Sequence, residues 1–217
     1  MAEKTRISLS NIGKKYKHWV IKNVSIELSS AHHYGITGRN GAGKSTLLRI
    51  ISGYTSPTLG KLSYFQENDI IDMHSAARMV SYAAPYIDLI EELTVSESYS
   101  FHAKFHSMQP LAQSLDGFLD GVQLKTHQDV LVGDLSSGLM QRLKVGLAIL
   151  TDTPVLLLDE PTSYLDSYGK DWYRDLLNRH SDNRLLAIAS NDQFDIYSCT
   201  NIIDIHNYVP ASADIAI

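Results

Sequence analysis

The 217-residue sequence predicts an α/β fold, and three observations carry that prediction. Strand-like and helix-like segments alternate at both ends of the chain. A glycine-rich turn, Gly38-Arg39-Asn40-Gly41-Ala42-Gly43-Lys44-Ser45, separates a strand-like run from a helical one. The apolar run 155–158 reads as a strand buried on both faces, and it ends in Asp159-Glu160.

Taken in order, Ile7-Ser8-Leu9 alternates between apolar and polar residues, and Val24-Ser25-Ile26-Glu27-Leu28 does so more clearly, as half-buried strands do. Residues 33–37 read as a strand entering the glycine-rich turn. Residues 44–52 carry Leu47, Leu48, Ile50 and Ile51 at helical spacing, and Gly53 stops the helix. A turn cluster fills 55–60, followed by strands over 61–65 and 79–83. From about residue 92 to 150 the pattern is helical, over 96–108, 110–122 and 137–150. Thr94 and Glu97 have the spacing of a capping box, and Leu139, Leu143, Leu147 and Leu150 share one helix face. Alternation returns with a helix over 167–180 and strands over 185–189 and 202–205; 209–217 read as a loose tail.

Composition narrows the function classes. The net charge is −5, 44% of residues are hydrophobic, and the charges are mixed without a basic block, so no nucleic-acid partner is expected. Cys199 is the single cysteine, which excludes an internal disulfide and suits a reducing compartment. No stretch reaches the roughly 18–20 apolar residues of a membrane-spanning helix, and no secretory signal is visible behind Met1. Any membrane role therefore runs through a partner. His102 and His106 stand four apart on one helix but lack a third ligand, so they read as surface or partly packed helix residues rather than a metal site. Lys14-Lys15-Tyr16-Lys17 reads as a solvated turn.

The turn at 38–45 matches G-x-x-x-x-G-K-[ST] in full, with a strand before it and a helix after it. Glycines let such a backbone wrap an anion and aim several N–H groups inward, and the helix adds its positive end. Lys44 then reaches the β- and γ-phosphates of a nucleotide, and the Ser45 hydroxyl is a ligand for Mg²⁺. Gly38, Arg39, Asn40, Gly41, Ala42, Gly43 and Thr46 complete the expected nucleotide-binding segment. Ligands of open α/β sheets gather at the carboxyl ends of strands, which puts Asp159 in position to hold the same Mg²⁺. Glu160 suits a general base for the attacking water.

Leu135-Ser136-Ser137-Gly138-Leu139-Met140-Gln141-Arg142, just upstream of the acidic pair, resembles the L-S-G-G-Q-x-Q-R signature of the ABC ATPase family. Pro161-Thr162-Ser163-Tyr164-Leu165-Asp166 resembles the family's D-loop, with Asp166 as its aspartate. Leu93-Thr94-Val95-Ser96-Glu97 resembles the segment that opens its helical subdomain. Tyr16 stands where the family has an aromatic that stacks on adenine, with Trp19 as a rival. These marks run in family order from about residue 7 to 206.

The resemblance implies a P-loop NTPase of ABC type: a mixed-sheet core, an antiparallel β subdomain and a small helical subdomain. It implies one ATPase domain over 1–217, with a core at about 1–85 and 151–208 and a helical part at about 86–150. It implies ATP and Mg²⁺ as cofactors, a second ABC ATPase subunit whose ATP meets Ser136, Ser137, Gly138 and Leu139, and a separate transmembrane permease subunit of the exporter kind. The chain would then lie in the cytoplasm against the inner face of the cell membrane. A soluble ABC ATPase without a transport role and an ATP-gated binding module with little turnover are the competing readings.

Three positions depart from the family pattern. Pro85 or Ala84 stands at the Q-loop glutamine, Asn191 at the switch histidine, and the signature has Ser137 for Gly and Leu139 for Gln. Asn191 can hydrogen-bond a γ-phosphate but carries no proton at neutral pH. The expectation is intact ATP binding with slow hydrolysis.

Overall fold

The computed structural model describes residues 5–210. The described residues divide into two compact units: one of residues 5–82, 154–160 and 183–210, the other of 83–153 and 161–182.

The first unit holds a four-stranded antiparallel sheet. Strand β1 (Thr5–Lys15) pairs with β2 (Trp19–Ser29) on one side and β4 (Leu59–Gln66) on the other, and β4 pairs with β5 (Asp69–Ile71). Ile7, Leu9 and Ile12 of β1 and Ile21, Val24 and Leu28 of β2 point into the core. Only 24–28 of β2 was legible as a strand. Polar Lys22-Asn23, with Asn23 at φ 59°, breaks the alternation, and a register shift there hides the first half.

The second sheet has the order β6–β7–β8–β3–β9, built from β3 (His33–Thr37), β6 (Val80–Ala83), β7 (Val155–Asp159), β8 (Leu185–Ala189) and β9 (Asn201–Asp204). β7/β8, β8/β3 and β3/β9 run parallel. Every residue of β7 and β8 is buried, as parallel strands covered on both faces require. Helix α1 (Lys44–Ile51) packs Leu47, Leu48, Ile50 and Ile51 into the core formed with both sheets. The short helix α2 (Met73–Ala77), capped by Asp72 accepting from His74 and Ser75 N–H, had no helical period to reveal it.

The second unit is helical. Helix α3 (Val95–Ala103) begins with the expected capping box, Thr94 with Glu97. It stops five residues before the expected 108. Residues 107–109 instead pair with the chain at 150–152: Asp152 N donates to Ser107 O (2.8 Å), Gln109 N donates to Leu150 O (2.8 Å), and Met108 bridges to Thr151. The expected helix over 110–122 splits into a 3₁₀ turn, Pro110–Ala112, and α4 (Leu115–Val122), whose N-cap Ser114 accepts from Gly117 N–H. Helices α5 (Ser137–Leu150) and α6 (Ser167–His180) have their expected bounds. Residues Gln141 to Leu150 of α5 are all buried, so the single leucine face understated its burial. The indole N–H of Trp172 in α6 donates to Gly121 O at 2.8 Å, tying α6 to α4. Packing of this kind is why 161–182 groups with the helices, although the sequence reading assigns it to the core. Most of the expected tail, 211–217, lies outside the described residues.

Candidate nucleotide site

The parallel ladder aligns three strand ends. Ile36 of β3 and Asp159 of β7 both stand opposite Ala189 of β8. The ladder continues one step further, with Ser190 N donating to Ile36 O (3.1 Å) and Glu160 N donating to Ala189 O (2.8 Å). The turn at 38–45, Asp159-Glu160 and Ser190-Asn191 therefore leave the sheet at one edge.

Glycine is required in the turn for two separate reasons. Gly38 has φ 142°, and a Cβ there would lie 2.4 Å from Ile205 Cγ2. Gly43, at φ 106°, is the N-cap of α1, and a Cβ there would lie 2.7 Å from Ile21 Cγ2. No side chain caps α1, and its first turn carries no acidic residue. The positive end of the helix is thus left for an anion.

Lys44 is only 6% exposed. Its Nζ donates to Gly38 O at 2.8 Å and lies 3.7 Å from Glu160 Oε1. The ammonium is therefore already held over the turn, between a carbonyl and a carboxylate. Ser45 and Thr46 follow in the first turn of α1, half-buried. Asp159 is 1% exposed at the end of β7. A hydroxyl and one buried carboxylate are hard oxygen donors of the kind Mg²⁺ takes when phosphates and water fill its other positions. Among the described residues no cluster of three His, Cys, Asp or Glu forms a metal cage, so any cation here would rely on the nucleotide for most of its ligands.

Glu160 has a left-handed backbone, φ 48°, which a non-glycine residue rarely adopts. Its side chain runs between Lys44 and Ser190, with Oε2 3.0 Å from Ser190 Oγ. Asn191, expected at the switch position, donates from Nδ2 to Asn40 Oδ1 at 2.8 Å. Tyr16 is 54% exposed in the β1–β2 turn with Lys14 Nζ 5.0 Å from its ring centre, while Trp19 is partly buried between Lys15 and Lys22. Of the two, Tyr16 is the more exposed.

Three residues of this edge escaped sequence reasoning. Ser190 and Asp195 are fully buried beside Glu160, with Ser190 Oγ donating to Asp195 Oδ2 at 2.5 Å. Ser190 directly precedes the position the motif points to, and Asp195 interrupts an apolar run at Phe194-Asp195-Ile196, a faint signal. His206 Nε2 accepts from Arg39 N at 3.3 Å, and no local signal marks it.

The remaining predicted residues lie in the helical unit. Ser136 is the N-cap of α5, its Oγ accepting from Leu139 N at 3.3 Å. Asp166 is the N-cap of α6, its Oδ1 accepting from Gly169 N at 2.7 Å. Ser136, Ser137, Gly138, Leu139 and Arg142 line an open pocket of about 320 Å³ with Tyr164, Leu165 and Asp166. Gly138 permits a close approach there: a Cβ would lie 3.1 Å from Tyr164 O. Gln141 Nε2 donates to Pro161 O (2.9 Å), and Arg142 Nη1 donates to Gln123 Oε1 (2.8 Å) beneath the Trp172 ring. Burial pulls the Arg142 guanidinium pKa down, against the pull of Tyr168 and Asp166. At the Q-loop position, Ala84 is buried and Pro85 offers only its carbonyl, which accepts from Lys144 Nζ at 3.3 Å.

The chain is 31% identical over 204 residues to ATP-binding cassette sub-family A member 10 of Homo sapiens, covering 89% of this chain and 13% of that protein. It is 29% identical over 167 residues to the Nod factor export ATP-binding protein I of Rhizobium johnstonii, covering 76% of this chain and 54% of the relative. The chain thus spans from about an eighth to about half of these relatives' lengths. Among solved structures, the ATP-binding subunit of an ABC transporter superposes with a TM-score of 0.80 at 21% identity, over 94% of this chain and 88% of that one. A dimeric bacterial ABC transporter cassette superposes with a TM-score of 0.77 at 24% identity, over 91% and 93% of the two chains. The fold is that of an ABC ATPase cassette, and with the ABC transporter family model matching residues 21–163, the chain belongs to that family.

Proposed function

We propose that this chain is an ATP-binding and ATP-hydrolysing subunit of an ABC transporter, which pairs head to tail with a second such subunit around ATP and drives a separate membrane subunit. The observation that carries the reading is the turn at 38–45, opened by glycines, left uncapped at the start of α1 and already holding Lys44 over it. In this reading Gly38, Arg39, Asn40, Gly41, Ala42, Gly43 and Thr46 surround the phosphates, Lys44 neutralises them, and Tyr16 stacks on the base. Ser45 and Asp159 would hold Mg²⁺, which would supply charge neutralisation for the phosphates. Glu160 takes a proton from water as the water oxygen bonds to the γ-phosphorus and ADP leaves. Ser136, Ser137, Gly138 and Leu139, with Asp166 nearby, meet the ATP held by the partner, and residues 86–150 transmit the cycle.

Transport is supported by the Nod factor export relative, and pairing by the dimeric cassette of the same fold. Among the described residues no helix is long and apolar enough to cross a membrane, so the reading places the chain on the cytoplasmic face through its permease. Slow hydrolysis is expected because Asn191 has no titratable proton where the family has a histidine, and neither Ala84 nor Pro85 supplies the side-chain amide of the Q-loop glutamine. The contact of Asn191 with Asn40 also favours a second reading, an ATP-gated binding module with little turnover.

The test is Glu160→Gln in the full chain. It should keep ATP affinity, lower turnover at least a hundredfold, and accumulate an ATP-bound dimer by size exclusion. Equal turnover in variant and parent refutes Glu160 as the base; a parent that binds no ATP refutes the function.

A further inference from the structure

We infer that Ser190, anchored by the buried Asp195, is a positioning residue that holds the Glu160 carboxylate for catalysis, in the place where the side chain at 191 does not reach it. This rests on Glu160 acting as the base, as proposed above.

The geometry is a chain of three groups. Asp195 is 1% exposed and Ser190 0% exposed, so neither is held there by solvent. Asp192 N donates to Ser190 Oγ at 3.0 Å, which occupies one lone pair of the hydroxyl. The single hydroxyl proton is shared between two carboxylate oxygens, Asp195 Oδ2 at 2.5 Å and Glu160 Oε2 at 3.0 Å. Asp195 is itself fixed from the other side of its turn, its N donating to Asp192 O at 3.1 Å. Ser190 N is locked into the sheet through Ile36 O, and Glu160 N through Ala189 O. The hydroxyl therefore stands on a rigid mount.

Glu160 needs such a mount. Its backbone sits in a left-handed conformation, and its side chain is about 30% exposed, so one contact would leave the carboxylate free to swing. Lys44 holds Oε1 from one side and Ser190 holds Oε2 from the other. Lys44 is expected to turn to the phosphates once a nucleotide arrives, which leaves Ser190 as the fixed contact. Asn191 is committed to Asn40 and supplies no replacement. A general base displaced by about 1 Å loses on the order of 10² in rate, which sets the scale of the effect.

The experiment measures steady-state ATP hydrolysis and, separately, binding of a non-hydrolysable ATP analogue, on the full chain. Ser190→Ala and the nearly isosteric Ser190→Cys should lower kcat by about tenfold to a hundredfold, with KM and analogue affinity within about twofold of the parent. Ser190→Thr keeps the hydroxyl and should return kcat to within about threefold. Thermal melts of all three variants identify loss of fold, and the cysteine variant keeps the test alive if the alanine variant unfolds. Parent-like kcat in Ser190→Cys or Ser190→Ala overturns the inference, as does a threonine variant no better than alanine. A parent that hydrolyses no ATP overturns the function it rests on, a distinct result.

Discussion

Replacing Asn191 by histidine should accelerate ATP hydrolysis, and the size of the gain can be worked out. A correctly placed donor to the transition state is worth roughly 2.7–4 kcal/mol. Asn191 at present donates to Asn40 Oδ1 at 2.8 Å, both residues being exposed. Losing that hydrogen bond costs about 0.5–1.5 kcal/mol, and water can replace it. The net gain is about 2–3 kcal/mol, or roughly 30- to 150-fold in kcat. The side chain at 191 follows the end of β8 and reaches Asn40 of the turn at 38–45, and its exposure leaves room for an imidazole. The assay is phosphate release at saturating ATP, with analogue affinity as the control. A rise in kcat with unchanged affinity is expected. A histidine variant that folds, binds the analogue and turns over no faster than the parent would refute the claim that position 191 limits the rate.

Lys44→Ala should abolish nucleotide binding in an equilibrium assay while leaving the melting temperature within a few degrees, because the carboxylate it leaves unpaired, Glu160, is about 30% exposed and can be hydrated. Gly146→Ala should destabilise the chain by about 1–3 kcal/mol in a urea melt: a Cβ there would lie 2.2 Å from Val122 Cγ1, and this overpacking outweighs the roughly 1 kcal/mol alanine gains in a helix. Burial, with the charge of His106 behind it, pushes the His102 pKa down to about 4, and its Nε2 is bonded to Thr151 Oγ1. The unfolded chain binds the proton near pH 6.5, so stability is full above that value and falls as the pH drops towards 4, by about 3 kcal/mol at most. His102→Gln should flatten the stability profile between pH 6.5 and 4.

What could be read from the sequence was what the backbone encodes locally. The glycines at 38 and 43 are demanded by φ values that side chains resist, so the turn announced itself by composition alone. Thr94 with Glu97, and the bounds of α5 and α6, are likewise set by residues within four of one another. The failures occur where distant chain decides. The end of α3 is set by the pairing of 107–109 with 150–152, some forty residues on. β2 is held by β1 through a register shift that its own alternation conceals. The contact of His206 with Arg39 joins residues 167 apart in sequence.

The same division runs through the site itself. The turn at 38–45 would keep its shape in many sheets, but which residue faces Glu160 depends on register. β8 is buried on both faces, so no polar face penalises a slip of one residue, unlike the half-exposed strands of the antiparallel sheet. Something else must fix it, and that lies at the other end of the strand. Leu185 N donates to Pro154 O at 2.9 Å, and the buried Arg184 donates from Nη2 to Ser81 Oγ at 2.9 Å. A slip of one residue would bring Asn191 level with Glu160 and carry Ser190 into the sheet. The identity of the residue beside the carboxylate is therefore set some fifteen ångströms away, at roughly 3.3 Å per residue over the five residues of β8. Counting along the chain reaches position 191 but gives no sign that Ser190 beside it contacts the carboxylate.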